Sequence, residues 1–197
     1  NQNTLIIEAT EENKTVDTWH QCVDALLSLG VDRKTAVLAL GGGVLGDITG
    51  FATASTLRGM PFIQLPTTLL SMVDSSVGGK TGVNHSLGKN LIGAFHQPVL
   101  VYAALSTLTT LDEKERIAGF GEVVKTALLG DARLLDFLEE NAAVLSVGDL
   151  SVLSHVIAAC VSVKADVVSK DEYESGFRAV LNAGHTVAHG LETALGY

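Results

Sequence analysis

Two stretches of this chain hold residues whose types and spacing can do chemistry. Gly41-Gly42-Gly43-Val44-Leu45-Gly46-Asp47 follows directly on the apolar run Ala36 to Leu40. That pattern reads as a strand delivering the chain into a glycine turn, where backbone N–H groups approach a pyrophosphate with no Cβ in the way. Asn182-Ala183-Gly184-His185-Thr186-Val187-Ala188-His189 sets two imidazoles one helical turn apart on one face. The spacing suits a metal ion or a proton-transfer pair. A dinucleotide loop and a histidine helix in one chain point to redox chemistry helped by a metal.

The remaining polar candidates are each readable in two ways. Gly41-x-Gly43-x-x-Gly46 satisfies G-x-G-x-x-G in a strand-turn-helix setting. The acidic residue expected about 20 positions on is absent, so the motif alone leaves open a tight turn that binds nothing. Asp47 either caps a helix or reaches a ribose or nicotinamide group. Arg58, Asp74, Lys80, Lys89 and Asn90 fall in or beside loops. Lys80 lies in Gly78-Gly79-Lys80-Thr81-Gly82, which lacks the full P-loop spacing. Two lysines and an arginine near glycine turns either clamp a phosphate or carboxylate or are solvated loop charge. Glu122 and Lys125 share a helix face at i and i+3. A surface ion pair is the ordinary reading, and the small residues of Ala118-Gly119-Phe120-Gly121 argue for close approach to other elements instead. Arg178, Asn182, His185 and His189 recur at helical spacings of four, three and four. Such a set on an apolar helix is costly if buried without purpose, which favours a site over a solvated face. His20 and His155 read as structural or surface residues, and His85 and His96 fall in the loop region without an assignment.

The elements that must position these groups follow from periodicity and punctuation. Thr4 to Glu8 reads as a short strand. Thr15 to Leu29 reads as a helix with Gly30 as its C-cap. Thr35 to Leu40 reads as a second strand, and Asp47 to Leu57 as a helix of small residues. Phe62 to Leu65 is a third strand ended by Pro66. Thr67-Thr68 sits where an N-cap belongs, opening Leu69 to Ser75. Val77 to Gly93 is glycine- and lysine-bearing with weak periodicity and reads as functional loop. Val99 to Ala103 is a further strand. Beyond Leu108 the pattern turns helical: Lys114 to Leu129, Arg133 to Leu145, Leu150 to Ser169 and Arg178 to Leu195. The expected fold is therefore a partial α/β, Rossmann-like nucleotide-binding domain over residues 1–108, lacking its first strands. A partial all-α metal and substrate domain follows over residues 109–197, lacking its last helices.

Composition narrows the function classes. The chain has 197 residues, 47% of them hydrophobic, and 20 glycines. That is enough for one or two domains with real cores and too apolar for a disordered polymer. A formal net charge of −9 argues against non-specific nucleic-acid binding. No apolar run approaches the ~20 residues of a membrane helix, and no signal peptide is visible. Cys22 and Cys160 are isolated, which fits buried thiols in a reducing cytoplasm. Asn1 and Tyr197 both read as ends cut from a longer polypeptide.

Taken in order, the segments resemble the 3-dehydroquinate synthase family of sugar phosphate cyclases. The matching pieces are Leu40 to Asp47, Leu57-Arg58-Gly59, Gln64 to Leu70, Met72 to Asn84, Gly88 to Pro98, Gly121 to Lys125 and Leu181 to His189. The resemblance implies an NAD- and divalent-metal-dependent carbon–oxygen lyase of the shikimate pathway and of aromatic amino acid and chorismate biosynthesis. It would convert 3-deoxy-D-arabino-heptulosonate 7-phosphate to 3-dehydroquinate and phosphate. The steps implied are transient oxidation by NAD, phosphate elimination, re-reduction and intramolecular aldol closure. By the same resemblance, Glu122 and His185 are two of three ligands to zinc, with cobalt an alternative. His189 belongs to the proton-transfer and phosphate-handling machinery. Arg58, Lys80, Asn90, Lys125, Lys164, Arg178 and Asn182 hold the substrate's phosphate, carboxylate and hydroxyls, and Asp74 binds a hydroxyl near the metal. Glu11, Lys14, Gly43, Val44, Leu45, Gly46, Asp47, Thr67, Thr68, Lys80, Lys89, Thr107 and Thr110 form the NAD site. The implied protein is cytoplasmic, a homodimer when full length, with a small-molecule substrate and neither nucleic acid nor membrane as partner.

Departures from the family pattern sharpen the expectations. The third metal ligand, a histidine, would lie past Tyr197, and the first Rossmann strands would precede Asn1. The polypeptide as written is therefore expected not to turn over alone. Ala9-Thr10 stands where the family more often has Pro-Gly, which weakens the assignment of Glu11. The rival readings are a sister cyclase acting on sedoheptulose 7-phosphate or glucose 6-phosphate, a metal-dependent polyol dehydrogenase, and a non-catalytic fragment.

Overall fold

The computed structural model describes residues 3–184. In chain order its main elements are α1 (Val16–Ser28), β1 (Val37–Gly41), α2 (Gly43–Ser55), β2 (Phe62–Pro66), β3 (Lys80–His85), β4 (Gly88–Phe95) and β5 (Leu100–Val101). These are followed by α3 (Glu113–Gly130), α4 (Ala132–Glu140), α5 (Ala142–Ser146) and α6 (Leu150–Lys170). The chain divides into two compact units, Asn1–Phe120 and Gly121–Tyr197.

The first unit is built on a three-stranded parallel sheet in the order β1-β2-β5. Parallel neighbours need a crossover, and α2 supplies it between β1 and β2. The register sets Leu40 opposite Leu65 and Gly41 opposite Pro66, so both strands end level where the glycine turn begins. Ile48 and Ala52 of α2 form a buried cluster with Cys22 of α1 and Val83 of β3. Trp19 stacks on Phe51 with ring centroids 5.2 Å apart, and its indole N–H donates to Ser55 Oγ at 3.0 Å. On the side toward β3 the approach is close enough to require glycine. A Cβ at Gly50 would lie 2.4 Å from Thr81 Cγ2.

Several sequence expectations are corrected here. Val77 to Gly93 is mostly not loop: β3 and β4 form an antiparallel hairpin with a register shift between Val83 and His85. Gly82, Gly88 and Gly93 dilute the alternation by which strands are recognised, so the sequence period is weak. Thr4 to Glu8 is not a strand, and Leu5 and Ile6 lie exposed. The helix expected from Asp47 starts at Gly43, so Gly43 to Gly46 form its first turn. Ser71–Ser75 is a π-helix rather than an α-helix.

In the second unit, the helix expected over Arg133 to Leu145 breaks at Asn141, whose side chain donates to the Phe137 carbonyl at 2.8 Å. Helix α6 has 21 residues and is long and apolar enough, by length and composition alone, to cross a membrane, contrary to the sequence reading. Its buried residues Leu153, Val156, Ile157, Cys160, Lys164 and Val167 recur every three or four positions and mark a stripe packed on α4 and α5. That is the pattern of a core helix. The helix expected over Arg178 to Leu195 is a 3-10 helix where it can be described, at Phe177–Asn182. At three residues per turn, Arg178 and Asn182 do not share a face.

Candidate active site

The glycine turn leads straight into α2. Gly42 occupies the N-cap in extended conformation, and no side chain caps the helix. The first N–H groups of α2 thus have no side-chain cap, at the end of the helix where an anion is favoured. Space is tight: a Cβ at Gly43 would lie 2.9 Å from Ser75 Oγ. A cavity of about 10 Å3, room for about one water, lies among Gly41, Gly42, Gly43, Gly46, Gln64 and Ser75. Thr67 donates its backbone N–H to the Gly41 carbonyl at 3.0 Å and so ties the next segment to the turn. Thr68 and Ser71 exchange hydrogen bonds: Thr68 N–H reaches Ser71 Oγ and Ser71 N–H reaches Thr68 Oγ1, both at 3.2 Å. Val44 and Leu45 belong to the first turn of α2.

Asp47 lies one turn into α2, so it is not the helix cap. Its carboxylate meets Lys14, with Nζ 2.5 Å from Oδ2. The same ammonium donates to Asn90 Oδ1 at 2.5 Å. Lys14 is only 4% exposed, and a buried ammonium needs such partners because desolvation disfavours its charge. Glu11 joins the cluster through Asn84, whose Nδ2 donates to Glu11 Oε1 at 2.7 Å. Glu11, Lys14, Asp47 and Asn90 are thus brought together from the early turn, α2 and β4. Asn84 is the last residue of the matching segment Met72 to Asn84, which gives it no role of its own. Its place at the end of that segment is the sequence signal for it.

The other cationic candidates of the first unit lie on separate elements. Lys80 opens β3 and Lys89 is the second residue of β4. Arg58 is exposed at the end of a short 3-10 turn, where Leu57, Arg58 and Gly59 have φ of 52°, 64° and 117°. Left-handed backbone at consecutive non-glycine residues costs energy and must be held by its surroundings. Asp74 lies in the π-helix. The hydroxyls of Thr107 and Thr110 donate to the carbonyls of Ala104 and Thr107, within their own 3-10 turns. Of the two unassigned histidines, His85 ends β3 and His96 follows β4. His96 Nε2 lies 2.8 Å from the Met60 carbonyl with its ring stacked on Phe62, and His85 Nδ1 accepts from Leu87 N–H.

In the second unit Glu122 and Lys125 form the ion pair their spacing suggested. Glu122 Oε2 is buried and, apart from that charge contact, no hydrogen bond reaches it. An anionic oxygen left this way fits a cation as an additional partner. Among the described residues no three His, Cys, Asp or Glu side chains gather as a metal centre. His185 and His189 lie outside the described residues. Lys164 is buried on α6.

Arg178 is 2% exposed, and its Nη1 donates to the Glu172 carbonyl at 2.6 Å. The loop before it is organised by Asp171, which the sequence reading missed. Its carboxylate accepts from the N–H groups of Arg178, Ser175 and Gly176 at 3.0, 2.8 and 2.9 Å, and from the Ser175 hydroxyl at 2.9 Å. These donors, the Arg178 N–H foremost, hold the Asp171 carboxyl well below the usual carboxylate range. Asn182 Nδ2 donates to Glu174 Oε1 at 2.5 Å.

Residues 4–118 match the model for the 3-dehydroquinate synthase N-terminal domain, and residues 119–197 match the model for the C-terminal domain. Among solved structures, 2-epi-5-epi-valiolone synthase from Streptomyces hygroscopicus subsp. jinggangensis 5008, with NAD+ and Zn2+ bound, is 35% identical with a TM-score of 0.90. The match covers 96% of this chain and 54% of that one. A 2-deoxy-scyllo-inosose synthase complexed with carbaglucose-6-phosphate, NAD+ and Co2+ is 32% identical with a TM-score of 0.84, covering 96% and 52%. An iron-containing alcohol dehydrogenase from Thermotoga maritima, 14% identical with a TM-score of 0.62 and coverage of 90% and 60%, shares the fold alone. The chain spans about half the length of the cyclase structures it matches.

Proposed function

This chain belongs to the 3-dehydroquinate synthase family, and from that premise we propose that the protein is an NAD- and divalent-metal-dependent sugar phosphate cyclase. The proposed reaction is that of 3-dehydroquinate synthase, a carbon–oxygen lyase step of the shikimate pathway. 3-Deoxy-D-arabino-heptulosonate 7-phosphate gives 3-dehydroquinate and phosphate. The observation that carries the reading is the consecutive match of both halves of the chain to the two domains of one enzyme family. A homodimer in the cytoplasm is proposed with it. Cys22 and Cys160, buried and outside any disulfide, suit that reducing compartment.

When bound, NAD would take and return a hydride and a Zn2+ or Co2+ ion would acidify a substrate hydroxyl. Gly43 to Leu45 offer the uncapped N–H groups of α2 to the cofactor's phosphates, while the Gly46 N–H closes the first helical turn on the Gly42 carbonyl. Lys14 holds Asp47 and Asn90 in fixed places, so that cofactor hydroxyls meet a preset acceptor rather than a mobile one. Thr67, Thr68, Lys89, Thr107, Thr110 and Glu11 are assigned to the same site. Glu122 and His185 would supply metal ligands, with Lys125 balancing the Glu122 charge. Arg58, Lys80, Lys164 and Arg178 are assigned to the substrate's phosphate and carboxylate, because guanidinium and ammonium groups pair with such anions. Asp74, Asn90 and Asn182 would orient its hydroxyls, and His189 would move a proton.

The test is phosphate release by purified full-length protein with NAD and zinc. The heptulosonate phosphate, sedoheptulose 7-phosphate and glucose 6-phosphate are supplied one at a time. Release from the first without net NADH supports the reading. Release from only one of the others assigns a sister cyclase instead, a second reading favoured by the similarity to the valiolone and deoxy-inosose synthases. Net NADH accumulation would indicate a polyol dehydrogenase and overturn both.

A further inference from the structure

We infer that Asn84 is a positioning residue for the NAD site, an inference that rests on the function proposed above. Asn84 sits at the register shift of the β3–β4 hairpin. Its backbone N–H donates to the Lys14 carbonyl at 2.8 Å. Its Nδ2 donates to Glu11 Oε1 at 2.7 Å. Its Oδ1 accepts from the Asn90 N–H at 2.8 Å. One residue thereby ties the early turn, β3 and β4 together using its main chain and both ends of its amide.

The consequence falls on Asn90 and Lys14. Asn90 has φ of 56°, a left-handed conformation that asparagine tolerates and that its surroundings must hold. The Asn84 oxygen does so by accepting the Asn90 N–H. With its backbone so placed, Asn90 offers its own Oδ1 to the Lys14 ammonium. The carbonyl of Lys14 is meanwhile anchored by the Asn84 N–H. The Lys14–Asp47 pair is thus aimed from both sides by a residue that is not itself charged. Asn84 acts through Lys14, Glu11 and Asn90.

The role needs a neutral amide. An aspartate at this position keeps an acceptor for Asn90 but sets a second carboxylate against Glu11, and like charges at hydrogen-bond distance repel. Replacing Glu11 by glutamine restores a donor and an acceptor with their direction reversed. The pair is therefore open to a reciprocal rescue that a general packing role would not show.

The experiment compares wild type, Asn84→Asp, Glu11→Gln and the double variant. It uses NAD titration by calorimetry and amide hydrogen exchange on the same proteins without NAD. Asn84→Asp should raise the Kd for NAD about tenfold, the cost of losing a charge-assisted hydrogen bond, and speed exchange of the Asn90 amide. The double variant should bring Kd back to within about threefold of Glu11→Gln alone, as coupled rather than additive sites do, and should restore protection at Asn90. Equal effects of Asn84→Asp in the wild-type and Glu11→Gln backgrounds would overturn the inference. Wild-type protein that does not bind NAD would overturn the functional reading itself, a result distinct from normal wild-type binding with additive effects.

Discussion

Lys14 and Asp47, 33 positions apart in sequence, meet with the ammonium 2.5 Å from the carboxylate, and the lysine is almost wholly buried. A buried pair of this kind is costly to break from one side, because the surviving charge is left desolvated. Lys14→Met should therefore lower stability by about 3 kcal/mol. Lys14→Met with Asp47→Leu should regain part of that loss, since the orphaned carboxylate is gone while Asn90 Oδ1 still lacks its donor, yet should not regain NAD binding. Denaturant midpoints and NAD titrations on the single and double variants check both halves. A double variant as unstable as the single one would show that the orphaned Asp47 charge is not the source of the loss.

Asp171 sets an acid dependence. Its folded carboxyl titrates below the ordinary carboxylate range because backbone N–H donors, that of Arg178 first, stabilise the ionised form. A depressed folded value contributes stability above the unfolded pKa of about 4, and that contribution is lost as pH falls through the folded one. Asp171→Asn should be less stable than wild type at neutral pH. The gap should narrow as the pH is taken below about 4. Thermal unfolding at pH 7, 4 and 3 measures it; a gap independent of pH would refute the assignment.

Gly50 marks where α2 touches the hairpin. Gly50→Ala places a Cβ 2.4 Å from Thr81 Cγ2 and 3.2 Å from Phe62 Cζ. Overpacking at a filled contact costs about 1–3 kcal/mol. Adding Thr81→Ser removes the offending methyl while keeping the hydroxyl that donates to the Ala94 carbonyl at 2.8 Å. The double variant should recover a measurable part of the lost melting temperature. If it does not, the close contact lies elsewhere than Thr81.

Glu122 is the metal ligand candidate among the described residues. Glu122→Gln in the full-length protein should abolish zinc retention in equilibrium dialysis while leaving the circular dichroism spectrum unchanged. His185→Ala should do the same. His189→Ala should keep the metal and slow turnover; metal loss in that variant would merge roles assigned here to two histidines.

What could be read from sequence was whatever local spacing controls. The strand before Gly41 and a helix behind the glycines follow from an apolar run and clustered glycines, although the helix starts at Gly43 rather than at Asp47. Glu122 and Lys125 could be paired on paper because i and i+3 share a helix face wherever the helix lies. The hairpin was hidden because its glycines erase the two-residue period, and only cross-strand pairing reveals it. The Arg178–Asn182 face was misread because a 3-10 helix and an α-helix place i+4 differently.

The chain's own order of residues determined the family, the α/β-then-helical plan and the chemical types available: a glycine turn, a carboxylate and imidazole pair, and scattered cations. The tertiary structure alone decided which of them meet. Lys14 finds Asn90 across 76 positions and Glu11 finds Asn84 across 73. No local period spans such separations. They are set by the packing of α1 and α2 on a hairpin whose register shift turns Asn84 toward the early turn. Asp171 likewise became visible only once its loop had folded back, because an acceptor is recognised by the donors that surround it.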